Sequence, residues 1–405
     1  MGALSHLRVL DLSRVLAAPW ATQILGDLGA EVIKIEKPGE GDETRHFGPP
    51  FLTTENGQRG DATYFLTANR NKKSVAIDFS KPEGAELIRR LARRAHIVVE
   101  NFKTGALARY GLDYKSLSAE NPALIYCSLT GFGHDGPYKD KAGYDYLIQG
   151  MGGLMSVTGQ PDGQPGAEPM KVGVAVSDLV TGLYTGIAIL AAVIHQSRTG
   201  EGQEIDMALF DCQAAALANQ ATNYLAGHMV PGRLGNAHPN IVPYQVFATR
   251  DGHLILAVAN DGQFRRFAEA AGVGHLAGDR RFATNAERVG HRDTLIGLIE
   301  PLFPGRTTAE WIALLEAANV PCGPINRVDQ VFADPQAIAR GMTIRMNHAA
   351  AGALDLPASP LRLLGTPPEY RTAPPLLGEH TEEVLTGILG LDAGGIARLR
   401  ERGIL

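Results

Sequence analysis

The feature that most constrains this chain is a rhythm in its first third: LRVLDL, then PWATQILGDLGA, then EVIKIEK. Short β-rich runs separated by a helical pattern read as βαβ units, because parallel strands need a crossover and cannot be joined by a tight turn. The rhythm returns in SVAID, KPEGAELIRRLARRA, HIVVEN and ALIYCSL. Pro19 suits the first turn of the helix after the opening strand, and Gly29 suits a left-handed stop at its end. The spacing predicts an α/β protein built on a parallel sheet.

With 405 residues, 44% of them hydrophobic and 20% charged, the chain can bury sizeable cores in two or three domains. Its formal net charge of -5 gives no global attraction to nucleic acid or acidic membranes, so an anionic ligand must meet a local cluster of cations. Cys127, Cys212 and Cys322 lie far apart, without CxxC or Cys/His spacing, so no metal is expected and a reducing cytoplasm fits. The start, MGALSHLRVLDLSR, lacks the basic head and apolar run of a signal peptide. The most apolar stretch, Leu179 to Ile194, falls short of the roughly 20 residues a bilayer needs and reads as a buried core helix. Neither a membrane nor a nucleic acid is expected as a partner.

Further along, PYQVFATRDGHLILAVAN predicts a hairpin through Asp251-Gly252, and GQFRRFAEAAG and TTAEWIALLEAAN predict helices after it. This is a second, smaller domain. The segment AAAGALDLPASPLRLLGTPPEYRTAPPLLG is rich in Pro and Gly and reads as an extended arm. The expected division is residues 1–224 for the first part of a large domain, 225–325 for the small domain, and 326–405 for a return arm and the rest of the large domain.

Function is carried by motifs rather than by composition. LDLSRVLAAPWATQILGDLGAEVIKIEKPGEGDETR, NRNKKSVAIDF, HIVVENF, GALARYGLDY, SLTGFGHDGPY, AGYDYLIQG and VGVAVSDLVTGLY follow one another in order. By these segments the chain resembles the class III CoA-transferases, the CaiB/BaiF family, from end to end. The resemblance implies a Rossmann-like large domain with a smaller α/β domain, in a homodimer whose two subunits interlock. It implies transfer of coenzyme A between an acyl-CoA donor and a carboxylate acceptor, dicarboxylates such as succinyl-CoA and glutarate among them, without a metal.

Asp178, in VAVSDLVTGLY, stands at the start of the long apolar helix. On local grounds it is a helix cap or dipole partner. The resemblance implies instead a nucleophile that attacks the thioester and carries CoA as an aspartyl thioester. The helix N-terminus is expected to keep it ionised at neutral pH. Gly262, in ANDGQF, reads alone as a turn leading into a helix; the resemblance implies a loop whose backbone N–H meets the oxyanion. Tyr144 and Asp145, in AGYDYLIQG, match active-site neighbours of the nucleophile. Acyl-CoA racemases or epimerases on the same scaffold have a His at the place of Tyr144 as an acid/base group, so Tyr144 favours transfer. A non-catalytic CoA-binding protein is the alternative from another class.

The phosphates of CoA call for cations. The resemblance implies Lys37, Lys72, Lys73 and Arg109 for that role, Asn101 and Phe102 on the adenine side, and Val15, Leu16 and Ala17 along the pantetheine. Some relatives have Gln at the place of Leu16. Arg45, in GDETRHF, offers a guanidinium fork for the free carboxylate of a dicarboxylic substrate.

Overall fold

Six strands, β1 (Arg8–Asp11), β2 (Glu31–Glu36), β3 (Lys72–Ala76), β4 (Ile97–Glu100), β5 (Ile125–Thr130) and β6 (Gln203–Ala208), form one sheet in the order β3-β2-β1-β4-β5-β6. Every pairing is parallel. This computed structural model describes residues 2–405. Strand order reverses around β1, which has β2 on one side and β4 on the other. The chain therefore diverges at the carboxyl ends of β1 and β4 and opens a crevice there.

Both faces of the sheet are covered, as an all-parallel sheet requires. Alternation along the strands divides the core. Leu10, Ile33, Val75 and Val98 face the helix α2 (Pro82–Ala92). Val9, Val32, Ile97, Val99 and Cys127 face the helices α1 (Ala17–Asp27) and α4 (Val176–Thr199), the short helix α3 (Asp145–Met151) lying between them in sequence. Gly29 ends the turn after α1 at φ 109°, where a Cβ would meet the Gly2 backbone at 2.8 Å.

The chain divides into two units. The first holds the residues through Leu154, Val172–His228 and Gln336–Leu405, and the second holds Met155–Lys171 and Met229–Pro335. Within the first unit, the segment expected to be an extended arm begins as a hairpin, Thr343–His348 paired with Gly352–Pro357. The irregular stretch after it is tied down by hydrogen bonds: Arg371 donates to the carbonyls of Gly26, Gly29 and Ala30, and Asn71 accepts from the Arg371 N–H. Val384, Leu385 and Ile396 of the last two helices then complete the core around α2.

The apolar stretch expected to be a buried core helix is longer than its apolar run. α4 has 24 residues and is long and apolar enough to cross a membrane by length and composition, with 44% of its most apolar window buried. Thr181, Thr185, Ile189 and Ala192 point into the core, while Leu183, Ile187 and Ile194 are exposed. Only one face meets the expectation.

The second unit contains a three-stranded antiparallel sheet, Cys322–Pro324, His253–Ala257 and Tyr244–Ala248, in which Ala248 pairs with His253 across the Asp251-Gly252 turn. Its core is aromatic, with Phe303 stacked on Phe247 at 4.2 Å between centroids and Trp311 beside it.

Candidate active site

Chain leaving β1 enters a loop held by buried charge. Asp11 accepts from the Ser13 N–H at 2.9 Å, from Thr22 Oγ1 at 2.6 Å and from Lys72 Nζ at 3.0 Å. Lys34 Nζ donates to the Ser13 carbonyl and to Asp42, both at 2.8 Å. Burial opposes ionisation of Asp42, yet Lys34 and the Thr44 N–H and hydroxyl hold its carboxyl down at about 2. Asp42 in turn receives the Val15 N–H at 3.3 Å. Val15 has φ 70°, a left-handed conformation that a β-branched residue adopts at a cost of about 1–3 kcal/mol. The charges behind the loop hold it there, and it aims Val15, Leu16 and Ala17 into the crevice.

Two adjoining cavities occupy that crevice. One, of about 290 Å³, runs from Asn101 and Phe102 past Val15, Leu16 and Ala17 to Tyr144, Asp145 and Asp178. The other, of about 390 Å³, is walled by Ile77, Phe79, Phe102, Lys37 and His46. Arg14, Glu43 and Phe102 belong to both, so they form one path. Asn101 fixes the turn between them: its side chain accepts the Arg14 N–H at 2.8 Å and donates to the Arg14 carbonyl at 2.7 Å. Glu100 accepts the Phe102 N–H at 2.7 Å from behind, and Phe79 packs edge-on against the Phe102 ring.

At the inner end, Asp178 is the third residue of α4 and 9% exposed. It does not cap its own helix. Asp145 Oδ1 accepts the N–H groups of Ser177 at 2.8 Å and Asp178 at 3.2 Å, the donors that a capping side chain ordinarily takes. The fully buried Gln149 donates to Asp145 Oδ2 at 2.7 Å and accepts the Val172 N–H at 2.8 Å. Asp145 thus has both oxygens engaged, while the Asp178 carboxylate has no hydrogen-bond partner among the described residues. Burial, and then the negative Asp145, push the Asp178 carboxyl up to about 7. The expectation that the helix N-terminus keeps the nucleophile ionised at neutral pH is corrected: desolvation and a like charge outweigh the field of the helix end.

Tyr144 stands at the N-terminus of α3, exposed on the cleft wall. Lys37 lines the outer cavity and pairs with Glu40 at 2.6 Å. Arg109 is exposed beside the Tyr110 ring and lines neither cavity. Gly262 belongs to the second unit, in the first turn of α5 (Asp261–Ala270), where Asn260 caps the helix by accepting the Gln263 N–H at 2.9 Å.

Three expected ligand contacts are corrected, two by burial and pairing and one by its place outside both cavities. Lys72 is 0% exposed, bound to Asp11 and to the Pro19 carbonyl, and burial takes its pKa down to about 8 against the pull of Asp11. It cannot meet a phosphate. Lys73, on the other side of β3, is taken by Glu31 at 2.9 Å and Glu383 at 2.8 Å and lines neither cavity. Arg45 is buried with its fork on Glu36, and its remaining nitrogen on Asp61 at 2.5 Å and the Pro375 carbonyl, so no substrate carboxylate can displace them cheaply.

Cleft cations that the motif reading passed over are Arg14, Lys103, Lys139 and Lys141. Their signal lay in the sequence: Lys103 follows Asn101-Phe102, and KDK directly precedes AGYDY. Tyr64 is a further omission; burial, then Asp178 and Asp145, raise its pKa, which puts its phenol in their field.

Comparison with known proteins bears on what such a cleft does. A family model described as CoA-transferase family III matches residues 4–381. The chain is 51% identical over 382 residues to the succinate–glutarate CoA-transferase of Agrobacterium fabrum, covering 94% of each chain. It is 42% identical over 405 residues to the succinyl-CoA:glutarate CoA-transferase of Mus musculus, covering 100% of this chain and 91% of the relative. The crystal structure of a CAIB/BAIF family protein from Brucella suis superposes with a TM-score of 0.84 at 50% identity, covering 96% of this chain and 99% of that one.

Proposed function

Because the chain belongs to CoA-transferase family III, we propose that it moves coenzyme A between dicarboxylates, with succinyl-CoA and glutarate as its donor and acceptor and Asp178 as its nucleophile. One observation carries the assignment of Asp178: its carboxylate closes the inner end of the cleft, desolvated and without a hydrogen-bond partner among the described residues. An oxygen left free of donors keeps its lone pair for an electrophile.

In the reaction proposed, an Asp178 oxygen attacks the thioester carbonyl and the C–S bond breaks, giving a mixed anhydride and CoA thiolate. The thiolate attacks the aspartyl carbonyl, releasing the donor acid as its carboxylate and leaving an aspartyl-CoA thioester. The acceptor carboxylate attacks that thioester, expelling the thiolate and forming a second anhydride. Return of the thiolate to the acceptor carbonyl yields the new acyl-CoA and regenerates Asp178. No proton is transferred at any step, so a phenol at Tyr144 in place of an imidazole is no handicap.

The outer cavity, with Phe79, Phe102 and Lys37, suits the adenosine end of CoA, and the strained Val15 loop suits the pantetheine. Arg14, Lys103, Lys139 and Lys141 supply the cations for the phosphates and for the distal carboxylate, the role that Arg45, Lys72 and Lys73 do not fill. The sheet order β3-β2-β1-β4-β5-β6 suits a Rossmann-like reading of the large domain, with the ligand at the crevice beside β1. The exposed Leu183, Ile187 and Ile194 of α4, beside an apolar depression of about 820 Å³ walled by Trp20 and Ile24, suit an interlocked homodimer.

The test mixes the protein with succinyl-CoA and glutarate and resolves the CoA esters by chromatography. Glutaryl-CoA is the expected product. Hydroxylamine or borohydride added after succinyl-CoA should inactivate the enzyme by modifying Asp178 alone. Full turnover by Asp178→Ala, or no glutaryl-CoA from the wild type, overturns the reading.

A further inference from the structure

Gln149 lies four residues after Asp145 on α3, on the same face of the helix, and is fully buried. Its amide has one possible orientation. The Val172 N–H is a donor and must meet the carbonyl oxygen, Oε1, at 2.8 Å, so the NH2 group faces Asp145 Oδ2 at 2.7 Å and the Val174 carbonyl at 3.4 Å. Asp145 therefore sits among three N–H donors, from Ser177, Asp178 and Gln149, and offers acceptors to all of them. All three bonds are charge-assisted, stronger to a carboxylate than to a neutral acceptor. Asp178, the neighbour of Asp145 in the cleft, surrenders nothing on taking a proton.

We propose that Gln149 is a positioning residue that holds Asp145 in place as the acceptor and cap of α4, so that the proton that must leave before attack is the one on Asp178. This rests on the reading of Asp178 as nucleophile and deepens it: an amide that never touches substrate sets the fraction of enzyme able to attack. The same amide holds the 172–174 segment that leads into α4. The rise of the Asp178 carboxyl to about 7 accords with the arrangement.

Other groups face the pair. The Tyr64 phenol has its pKa raised by burial and then by Asp178 and Asp145, while Cys212, next to Thr181 of α4, has its thiol pushed up by burial and gains nothing from either acid. Tyr144, Lys103, Lys139, Lys141 and the Arg14–Glu43 ion pair line the cleft in front. None of them gives Asp145 a hydrogen bond, which leaves Gln149 as the one side chain among the described residues that does so.

The variants are Gln149→Met, which keeps the volume and removes the donor, and Gln149→Glu, which keeps the shape and replaces the donor by an acid. Without the amide donor the negative charge at the inner end of the cleft is less well compensated, and the proton on Asp178 is harder to remove. The acid limb of kcat/KM for succinyl-CoA is expected to move up by about one pH unit in both variants, so that activity falls about tenfold more at pH 6 than at pH 9. The KM for succinyl-CoA at pH 9 should stay within about twofold of wild type, because no cleft contact is removed. A role in packing alone would lower the plateau and leave the limb in place, and that result overturns the proposal.

A readout independent of catalysis separates this from failure of the nucleophile assignment. The difference in melting temperature between each protein and its Asp178→Asn counterpart, followed from pH 5 to 9, inflects where the pair loses its last proton. If no thioester forms on Asp178 yet the inflection moves upward in Gln149→Met or Gln149→Glu, the proton placement stands and the nucleophile reading fails. An inflection that stays put in both variants overturns the role of Gln149 whatever the chemistry.

Discussion

Asp145 accepts the backbone N–H of Asp178 at 3.2 Å, so one acid caps the helix on which the other is mounted. The cap frees the Asp178 side chain from the local role its position suggests. It also sets a negative charge beside the carboxylate, which with burial takes it up to about 7.

Attack on a thioester requires the anion, so acylation of Asp178 should rise with pH through about 7 and level off above it. The measurement is the rate of hydroxylamine-sensitive inactivation by succinyl-CoA between pH 5.5 and 9. A flat profile would contradict the burial argument.

Stability should respond in the opposite direction. A carboxyl raised from 3.8 to about 7 on folding contributes stability that is full below 3.8 and lost as pH rises through about 7. Asp178→Asn should therefore abolish turnover yet stabilise the protein at pH 8, by at most about 4 kcal/mol. Denaturant melts at pH 5 and 8 should show the gap widening with pH.

Glu100 follows the same rule behind the cleft wall. Burial takes its carboxyl from 4.5 up to about 6, although Ser128 and the Phe102 N–H favour the anion. Its contribution is full below 4.5 and lost as pH rises through about 6, about 2 kcal/mol in all. Glu100→Gln keeps an acceptor for Phe102 and should raise the melting temperature at pH 7.5 while leaving it nearly unchanged at pH 4.5.

Lys72 separates a structural cation from a binding one. Lys72→Met leaves Asp11 buried with half its charge compensation gone and should cost about 3 kcal/mol in a urea titration. The KM for succinyl-CoA of the folded protein should change by less than about twofold, because Lys72 is buried behind the cleft.

Lys139→Ala with Lys141→Ala should instead leave stability alone and raise the KM for succinyl-CoA about tenfold, with a weaker dependence on salt than the wild type. Initial rates at two ionic strengths decide it.

The parallel sheet, the helices between its strands, the hairpin at Asp251-Gly252 and the family are legible in the sequence, because hydrophobic period and turn chemistry are local and a motif string is read residue by residue. The sequence also marked Asp178, Tyr144 and Asp145 as neighbours of a cleft. What it left open was which charges are free. Lys72, Lys73 and Arg45 look alike in a sequence, yet burial against Asp11 and Glu36 takes Lys72 and Arg45 out of the ligand's reach, while Lys73 pairs with Glu31 and Glu383 away from both cavities. Those partners are chosen by folding: Arg45 and the Pro375 carbonyl that it binds are 330 positions apart. The ionisation of Asp178 was decided in the same way, since a helix end predicts an anion while desolvation and a second acid, 33 positions away in the chain, raise the proton's hold. Electrostatic state depends on dielectric and distance in three dimensions, and only the tertiary structure supplies those.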